Sequence, residues 1–234
     1  MDYGNRLYGY GAKSTISTAI TAFARYAGFV ARHFESMVYA YEIRNEWDNK
    51  IGYTLPERSA GYMNLLKVAY PMLKNADPDA LVLSGSATSR SILGGYLAQL
   101  VRMGALHYTD GLSLHPYIQC KRESTVMAWE TWVTDIYRQL ARLGERPVPV
   151  YVSEVDWPSL VGSCEVSLDV QAERAHDVVT AAHALGFVRG NWWYDLLDDG
   201  TSRFNPEDNL GSSRATGRPS RRMHSRRGVK SVEH

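Results

Sequence analysis

Short apolar runs alternate with longer amphipathic stretches over the first 210 residues of the chain. The amphipathic stretches have helical spacing and predict helices over 14–35, 56–76, 91–104, 125–144 and 168–186. The apolar runs predict strands over 37–42, 80–85, 111–115, 148–154 and 190–194. The runs at 81–83 and 148–152 lack clean alternation, which is typical of parallel strands covered on both faces. The repeated strand–helix units therefore predict an α/β fold with a parallel sheet.

Two parallel architectures fit this element order, a doubly wound sheet and a (β/α)8 TIM barrel. A doubly wound sheet usually has a glycine-rich turn after its first strand. Here the glycines within 9–11 follow no predicted strand, and residues 83–86 lack the full spacing. Polar and aromatic residues instead follow successive strands: Asn45, Glu46 and Trp47; Ser84 and Ser86; His115 and Tyr117; Glu154 and Trp157; Trp192, Trp193 and Asp195. In a barrel all these strand ends open on one face, so the pattern favours the barrel.

The barrel is predicted to be incomplete. Five strand–helix units are recognisable and no convincing helix follows the fifth strand, whereas complete barrels typically need about 250 residues. We expect strands four to eight, with strands one and two and most of strand three missing. Residues 1–5 are then the stub of a preceding strand, and the chain is expected to lack the N-terminal part of its barrel.

The charged residues divide the chain into a barrel region, 1–210, and a basic tail, 211–234. The tail holds seven of the 26 basic residues and one of the 25 acidic residues, which leaves a net charge of −5 on residues 1–210. This acidic body gives no sign of a nucleic-acid groove. The tail has no apolar period and is predicted to be disordered.

The chain carries no recognisable membrane or export signal. No apolar run approaches the roughly 20 residues that span a bilayer, and the first residues do not resemble a signal peptide. Localisation stays open, with secretion or periplasmic export expected if a longer N-terminus exists.

Two glutamates stand out because each follows an apolar strand and lies close to a tryptophan. Glu46 ends the segment 38–47, and Glu154 ends the segment 148–157. A carboxylate is costly to desolvate at such a position, which points to function. Paired carboxylates in an aromatic-lined cleft are the equipment of glycosidic-bond hydrolysis. Glu42 and Asp156 are rival carboxylates, and Glu42 shares a strand face with Glu46 at i, i+4.

Four segments, taken in order, resemble the strand-end motifs of clan A glycoside hydrolases. Residues 41–48 look like the strand-four signature, in which Asn-Glu carries the acid/base residue. Residues 115–117 resemble the strand-six motif, 153–158 the strand-seven nucleophile motif and 190–195 the strand-eight tryptophan motif. The chain is most similar to glycoside hydrolase family 39 and to family 5-like proteins, over roughly its first 210 residues.

The resemblance implies a retaining mechanism with two glutamates. Glu46 would be the general acid/base and Glu154 the nucleophile that forms a covalent glycosyl-enzyme. Asn45 would bond the 2-hydroxyl of the sugar, and Tyr117 or His115 would donate a hydrogen bond that keeps Glu154 ionised. The implied substrate is an oligosaccharide, a polysaccharide or another glycoside.

Tryptophans supply the candidate sugar-binding rings. Trp193 is expected to be the sugar platform, with Trp192 packed outward against a helix, because adjacent strand residues face opposite ways. Trp47 and Trp157 either line neighbouring subsites or seal the loops.

No cofactor and no metal are expected. Metal-dependent barrel sites usually need clustered histidines, and of the seven histidines here only His115 is at a predicted strand end. The alternative to an enzyme is an inactive carbohydrate-binding remnant, because an incomplete barrel leaves open strand edges.

Cys120 and Cys164 follow the strand-six and strand-seven motifs. Both would lie on loops of the same barrel face, so a disulfide between them and a pair of free thiols are both open.

Overall fold

The computed structural model describes residues 17–49, 53–118, 124–144, 146–159, 166–198, 200, 202 and 206–211. Its α-helices are α1 Ser17–His33, α2 Leu55–Ala76, α3 Ser89–Leu93, α4 Tyr96–Arg102, α5 Val126–Ala141 and α6 Leu168–Ala184. Its strands are β1 Ala40–Ile43, β2 Leu81–Ser84, β3 Ala87–Thr88, β4 Leu112–His115, β5 Val150–Val155 and β6 Val188–Trp193. Short 3-10 helices cover Ala105–His107 and Pro206–Asn209.

All the strand pairs are parallel and follow chain order. β1 pairs with β2, and β3, β4, β5 and β6 form a second ladder. A bridge from Leu83 to Gly111 joins the two ladders, with the Ser84 amide donating to the Gly111 carbonyl at 3.0 Å. β2 and β3 are separated by Gly85 and Ser86 alone. The described residues thus form a continuous arc of a (β/α) barrel that does not close among themselves, and the predicted fold class is confirmed.

Local sequence signals explain where α2 begins and why α3 and α4 are separate helices. α2 begins with a capping box, in which Thr54 accepts from the Glu57 amide and Glu57 accepts from the Thr54 amide at 2.7 Å. The single helix predicted over 91–104 is instead two short helices, α3 and α4. Gly94 and Gly95 separate them, and Gly95 adopts a φ of 83°, which glycine tolerates and a continuous helix does not.

Two apolar clusters cover the helix-facing side of the arc. The larger joins α1, α2 and α4 to β1, β2 and β4 through residues such as Tyr62, Leu66 and Leu100. The second joins α5 and α6 to β5 and β6 and contains Trp129 and Val178, both 0% exposed. Because these clusters fix the outer faces of the strands, the inward side chains and the strand ends are held in place for a site.

Several predictions fall on residues outside the described part of the chain. These are the strand stub at 1–5, the cysteines Cys120 and Cys164, and all but the first residue of the basic tail at 211–234. The division into 1–210 and 211–234 stays a prediction. Among the described residues, no helix is both long and apolar enough to cross a membrane.

Candidate active site

The end of β1 presents Glu46 on an unusual backbone turn. Arg44 and Glu46 adopt left-handed φ values of 68° and 42°, which non-glycine residues rarely occupy. Trp47 anchors the turn, since its ring is 2% exposed and its indole N–H donates to the Arg58 carbonyl at 3.1 Å. The Arg44 guanidinium also lies 5.9 Å from the centre of the Trp47 ring. These contacts fix the carboxylate of Glu46 at the strand end.

The end of β4 supplies an imidazole that joins the two glutamates. His115 has a side chain that is 1% exposed, and its Nδ1 lies 3.0 Å from Glu46 Oε1 and 3.3 Å from Glu154 Oε2. Since its nearest neighbour is a carboxylate oxygen, Nδ1 carries a proton and donates it to Glu46, with Glu154 within ion-pair distance. The side chains of Glu46 and Glu154 are 27% and 23% exposed, so both reach the open face. The structure therefore brings together three residues that the sequence placed far apart.

One carboxylate oxygen of Glu46, one of Glu154 and a ring nitrogen of His115 all lie within 4.8 Å of one another. One carboxylate oxygen of each glutamate thus approaches the other closely, and both can reach a single bond of a ligand. Three such donors are also close enough to surround a cation, and the absence of a metal stays a prediction.

Opposing effects act on the pKa of the Glu154 carboxyl. Burial raises the pKa of its carboxyl above the ordinary value, His115 and the Tyr117 hydroxyl lower that pKa, and the charges of Glu46 and Glu42 raise it again. Tyr117 donates to Glu154 Oε2 at 2.7 Å. Burial and the charge of Glu154 also raise the pKa of Tyr117 far above its ordinary value, so this phenol stays protonated and remains a donor.

Removing the phenol hydroxyl in Tyr117→Phe is expected to shift activity toward higher pH. The bond from Tyr117 favours the ionised form of Glu154, so its loss raises the pKa of Glu154 further. If ionised Glu154 is needed for the reaction, the acidic limb of kcat/KM moves up and activity at low pH falls first. The measurement is a pH profile of kcat/KM beside Tyr26→Phe, whose side chain is on the exposed face of α1. Overlapping acidic limbs in the two variants would contradict the assignment.

Asn45 lies between the two left-handed residues and is half-buried. Its Oδ1 accepts a hydrogen bond from the Ser86 hydroxyl at 2.8 Å. This bond fixes the amide next to Glu46, where the sequence placed it.

Trp47 and Trp157 are packed into the protein rather than presented to the open face. Trp157 is 0% exposed, its indole N–H donates to the Ser124 carbonyl at 2.9 Å, and the Arg174 guanidinium lies 5.4 Å from its ring centre. Of the two alternatives drawn from the sequence, this geometry favours sealing of the loops for both rings.

The adjacent tryptophans of β6 face opposite to the expectation. Trp193 is half-buried and stacks on Trp157 with ring centres 6.3 Å apart, within the cluster that faces α5 and α6. Trp192 is 42% exposed and stacks on Tyr151 with centres 6.4 Å apart. The two rings do lie on opposite faces of β6, as adjacent strand residues should, but the faces are exchanged relative to the prediction. Trp192 is therefore the more accessible ring.

Sequence reasoning missed a group of polar side chains beneath the glutamates. The hydroxyls of Ser113 and Ser153 lie 2.6 Å apart, and Ser153 Oγ lies 3.2 Å from His115 Nε2. Glu42, kept as a rival carboxylate, accepts from Ser113 and from Ser86. The other rival, Asp156, is 0% exposed. The sequence did contain a sign of this group, because Ser113 lies two positions before His115 and Ser153 lies directly before Glu154 in buried strands.

Comparison with known proteins adds information about the fold. No protein-family model and no curated protein matches the chain. Among solved structures, a family 39 glycoside hydrolase from the gut symbiont Bacteroides cellulosilyticus WH2 matches with a TM-score of 0.70 and 21% identity. The match covers 88% of this chain and 43% of that chain. This chain has the fold of a glycoside hydrolase barrel.

Two further structures support the same conclusion about fold. A thermostable mutant of a Cellvibrio japonicus xylanase matches with a TM-score of 0.60 and 17% identity, over 90% of this chain and 72% of that chain. A Bacteroides uniformis β-glucuronidase matches with a TM-score of 0.62 and 14% identity, over 93% of this chain and 26% of that chain. The sequence-based resemblance is thus confirmed at the level of the fold, and this chain spans less than half of the first of these relatives.

Proposed function

We propose that this protein is a retaining glycoside hydrolase that cleaves O-glycosidic bonds by double displacement. The observation that carries the proposal is the convergence of Glu46 and Glu154 on His115, with donor atoms within 4.8 Å of one another. Retaining glycosidases hold their carboxyl groups about 5–5.5 Å apart, whereas inverting enzymes need about 6.5–9.5 Å to fit a water between them. The close approach favours the retaining class.

In the first step, a carboxylate oxygen of Glu154 attacks the anomeric carbon while Glu46 protonates the departing oxygen. The bond to the leaving group breaks as the ester to Glu154 forms. In the second step Glu46 accepts a proton from water, and that water displaces Glu154 from the sugar. The 2.7 Å bond from Tyr117 supports Glu154 as the nucleophile, because it favours the ionised carboxylate.

Asn45 and Trp192 are the proposed sugar-binding groups. The amide of Asn45 is fixed beside Glu46 by its bond from Ser86, where it can meet a sugar hydroxyl close to the reacting carbon. Trp192 offers an exposed ring, which suits the CH face of a sugar. The substrate class is an oligosaccharide, a polysaccharide or another glycoside. The xylanase and β-glucuronidase among the similar structures make aryl xylosides and aryl glucuronides the first substrates to test.

Trapping the covalent intermediate tests the proposal directly. The full chain is incubated with 2-deoxy-2-fluoro aryl glycosides that carry a reactive leaving group, since fluorine slows release of the sugar from the enzyme. Intact mass and peptide mapping are expected to locate one glycosyl group on Glu154, and EDTA is expected to leave turnover unchanged. Glu173→Gln, an exposed substitution on α6, is the matched control and is expected to label like the wild type.

Two other outcomes would overturn the proposal. Turnover with inversion of the anomeric centre excludes double displacement. Binding of sugar without turnover supports the alternative, a carbohydrate-binding remnant. That alternative draws on one observation: among the described residues, β1 pairs with β2 alone and β6 with β5 alone.

A further inference from the structure

Glu42 is a third carboxylate directly beneath the proposed catalytic pair. It is half-buried on β1, four residues before Glu46. Its Oε2 accepts from the Ser113 hydroxyl at 2.5 Å, and its Oε1 accepts from the Ser86 hydroxyl at 3.1 Å. The mechanism proposed above gives Glu42 no task, although this half-buried carboxylate is held in place by contacts with two serine hydroxyls.

An unbroken chain of hydrogen bonds leads from Glu42 to His115. Ser113 on β4 contacts Ser153 on β5 through their hydroxyl oxygens, 2.6 Å apart. Ser153 Oγ then lies 3.2 Å from Nε2 of His115. The opposite nitrogen, Nδ1, faces Glu46 and Glu154. The chain therefore crosses three strands and ends between the two reacting carboxylates.

The number of hydroxyl protons fixes which atom donates in each hydrogen bond between Glu42 and His115. An ionised carboxylate only accepts, and each serine hydroxyl has one proton to donate. Because Ser113 donates its proton to Glu42, the bond between the serines must use the proton of Ser153. Ser153 then has no proton left for His115, so Nε2 of the imidazole must be the donor.

With a proton on both ring nitrogens His115 is an imidazolium, so Nδ1 can give up its proton while Nε2 keeps the other. When the Nδ1–H bond breaks, an O–H bond forms on Glu46, and His115 remains a neutral imidazole with its proton on Nε2. Without that fixed Nε2 proton, the neutral imidazole would carry its one proton on Nδ1 and could not release it to Glu46.

A second arm runs from Glu42 to the sugar-binding amide. The Ser86 hydroxyl contacts both Glu42 Oε1 and Asn45 Oδ1, at 3.1 and 2.8 Å. Glu42 thus contacts Ser86, which also contacts Asn45, and Ser113, which leads through Ser153 to His115.

We propose that Glu42 is a positioning residue that acts through Ser113 and Ser153 to keep a proton on Nε2 of His115. The exchangeable proton is thereby placed on Nδ1, beside Glu46. This inference rests on the proposed function for its effect on catalysis, whereas the position of the proton can be measured independently of turnover.

The test combines ¹⁵N NMR of His115 with steady-state kinetics on the full chain. Spectra of the wild type, Glu42→Gln, Ser113→Ala and Ser86→Ala are recorded at one pH, and His115→Asn identifies the His115 signals. The wild type is expected to show a protonated Nε2. Ser113→Ala frees the Ser153 proton for His115, so Nε2 is expected to become an acceptor, and Glu42→Gln should act in the same sense. Ser86→Ala breaks only the Asn45 arm and is expected to leave Nε2 protonated.

The kinetics are expected to separate the two arms. Glu42→Gln and Ser113→Ala should each lower kcat about 10- to 100-fold on glycosides with poor leaving groups, the range that loss of an outer hydrogen-bond partner costs at metal-bound histidines. The double variant should lose no more than the worse single variant, because both break one chain. Ser86→Ala should act mainly on KM.

The outcomes distinguish the inference from the proposed function. A wild type without turnover removes the proposed function, and the NMR comparison still decides where the proton lies. If the wild type turns over, two results overturn the role of Glu42. One is an Nε2 of His115 that stays protonated in the Ser113→Ala variant, and the other is additive losses of kcat in the double variant. Ser113→Ala also decides the matter if Glu42→Gln fails to fold.

Discussion

Glu154→Gln is expected to lower kcat/KM for aryl glycosides by at least about 10³-fold, since removal of a nucleophile typically costs that much or more. The amide keeps the volume of the carboxyl and retains an oxygen that can accept from Tyr117, 2.7 Å away in the wild type. It cannot form a glycosyl ester, so neither step of the double displacement can proceed. Initial rates on a reactive aryl glycoside, together with the thermal melt, measure the loss and show that the variant is folded.

Glu173→Gln on the exposed side of α6 is the control for this substitution. It makes the same change of atoms and charge away from the site, so rates within twofold of the wild type are expected. A Glu154→Gln variant that keeps a tenth or more of the wild-type rate would assign the nucleophile to another carboxylate, and Glu42 would be the first to examine.

Glu46→Ala is expected to produce a loss that depends on the leaving group. General acid catalysis typically contributes about 10²- to 10⁴-fold, and poor leaving groups need most of it. Reactive leaving groups such as dinitrophenolate depart without a proton, so the first step on those substrates should be nearly as fast as in the wild type. The covalent intermediate should then accumulate, because Glu46 is also the base that activates water. Pre-steady-state bursts across a series of aryl glycosides measure both effects.

Azide provides the control for the role of Glu46. It is already an anion and attacks the sugar without a base, so it should restore turnover in Glu46→Ala and yield a glycosyl azide. The same addition should do nothing for Glu154→Gln, which forms no intermediate. Equal losses on good and poor leaving groups would instead give Glu46 a structural role.

The architecture follows from the sequence because parallel strands have an unambiguous apolar signature. The runs at 81–83 and 148–152 appear within β2 and at the start of β5, and each is followed by a helix close to its predicted position. The break between α3 and α4 depends on the left-handed Gly95, whose φ is 83°. A pair of glycines allows such a break, yet the same residues can also remain in a helix, so periodicity alone does not place it.

The site was predictable as far as its residues are strand ends. Glu46, His115, Tyr117 and Glu154 each follow an apolar run, and barrel topology brings such ends together. The serine chain was not predictable, because its donors belong to different strands and only the register between β4 and β5 aligns them. Alternation places Trp192 and Trp193 on opposite faces of β6 but does not tell which of them packs in the helix-facing cluster with Trp157.

The strands that carry the two proposed catalytic residues differ in how many neighbouring strands they pair with among the described residues. Glu154 and His115 come from β5 and β4, which have a paired strand on each side, whereas Glu46 lies in the turn after β1, which pairs among the described residues with β2 alone. Amide hydrogen exchange should therefore report earlier opening around β1 than around β4 and β5. On gentle heating the protein would lose its proton donor before its nucleophile. The protein would then still form the glycosyl intermediate from glycosides with reactive leaving groups, but it would no longer cleave glycosides with poor leaving groups.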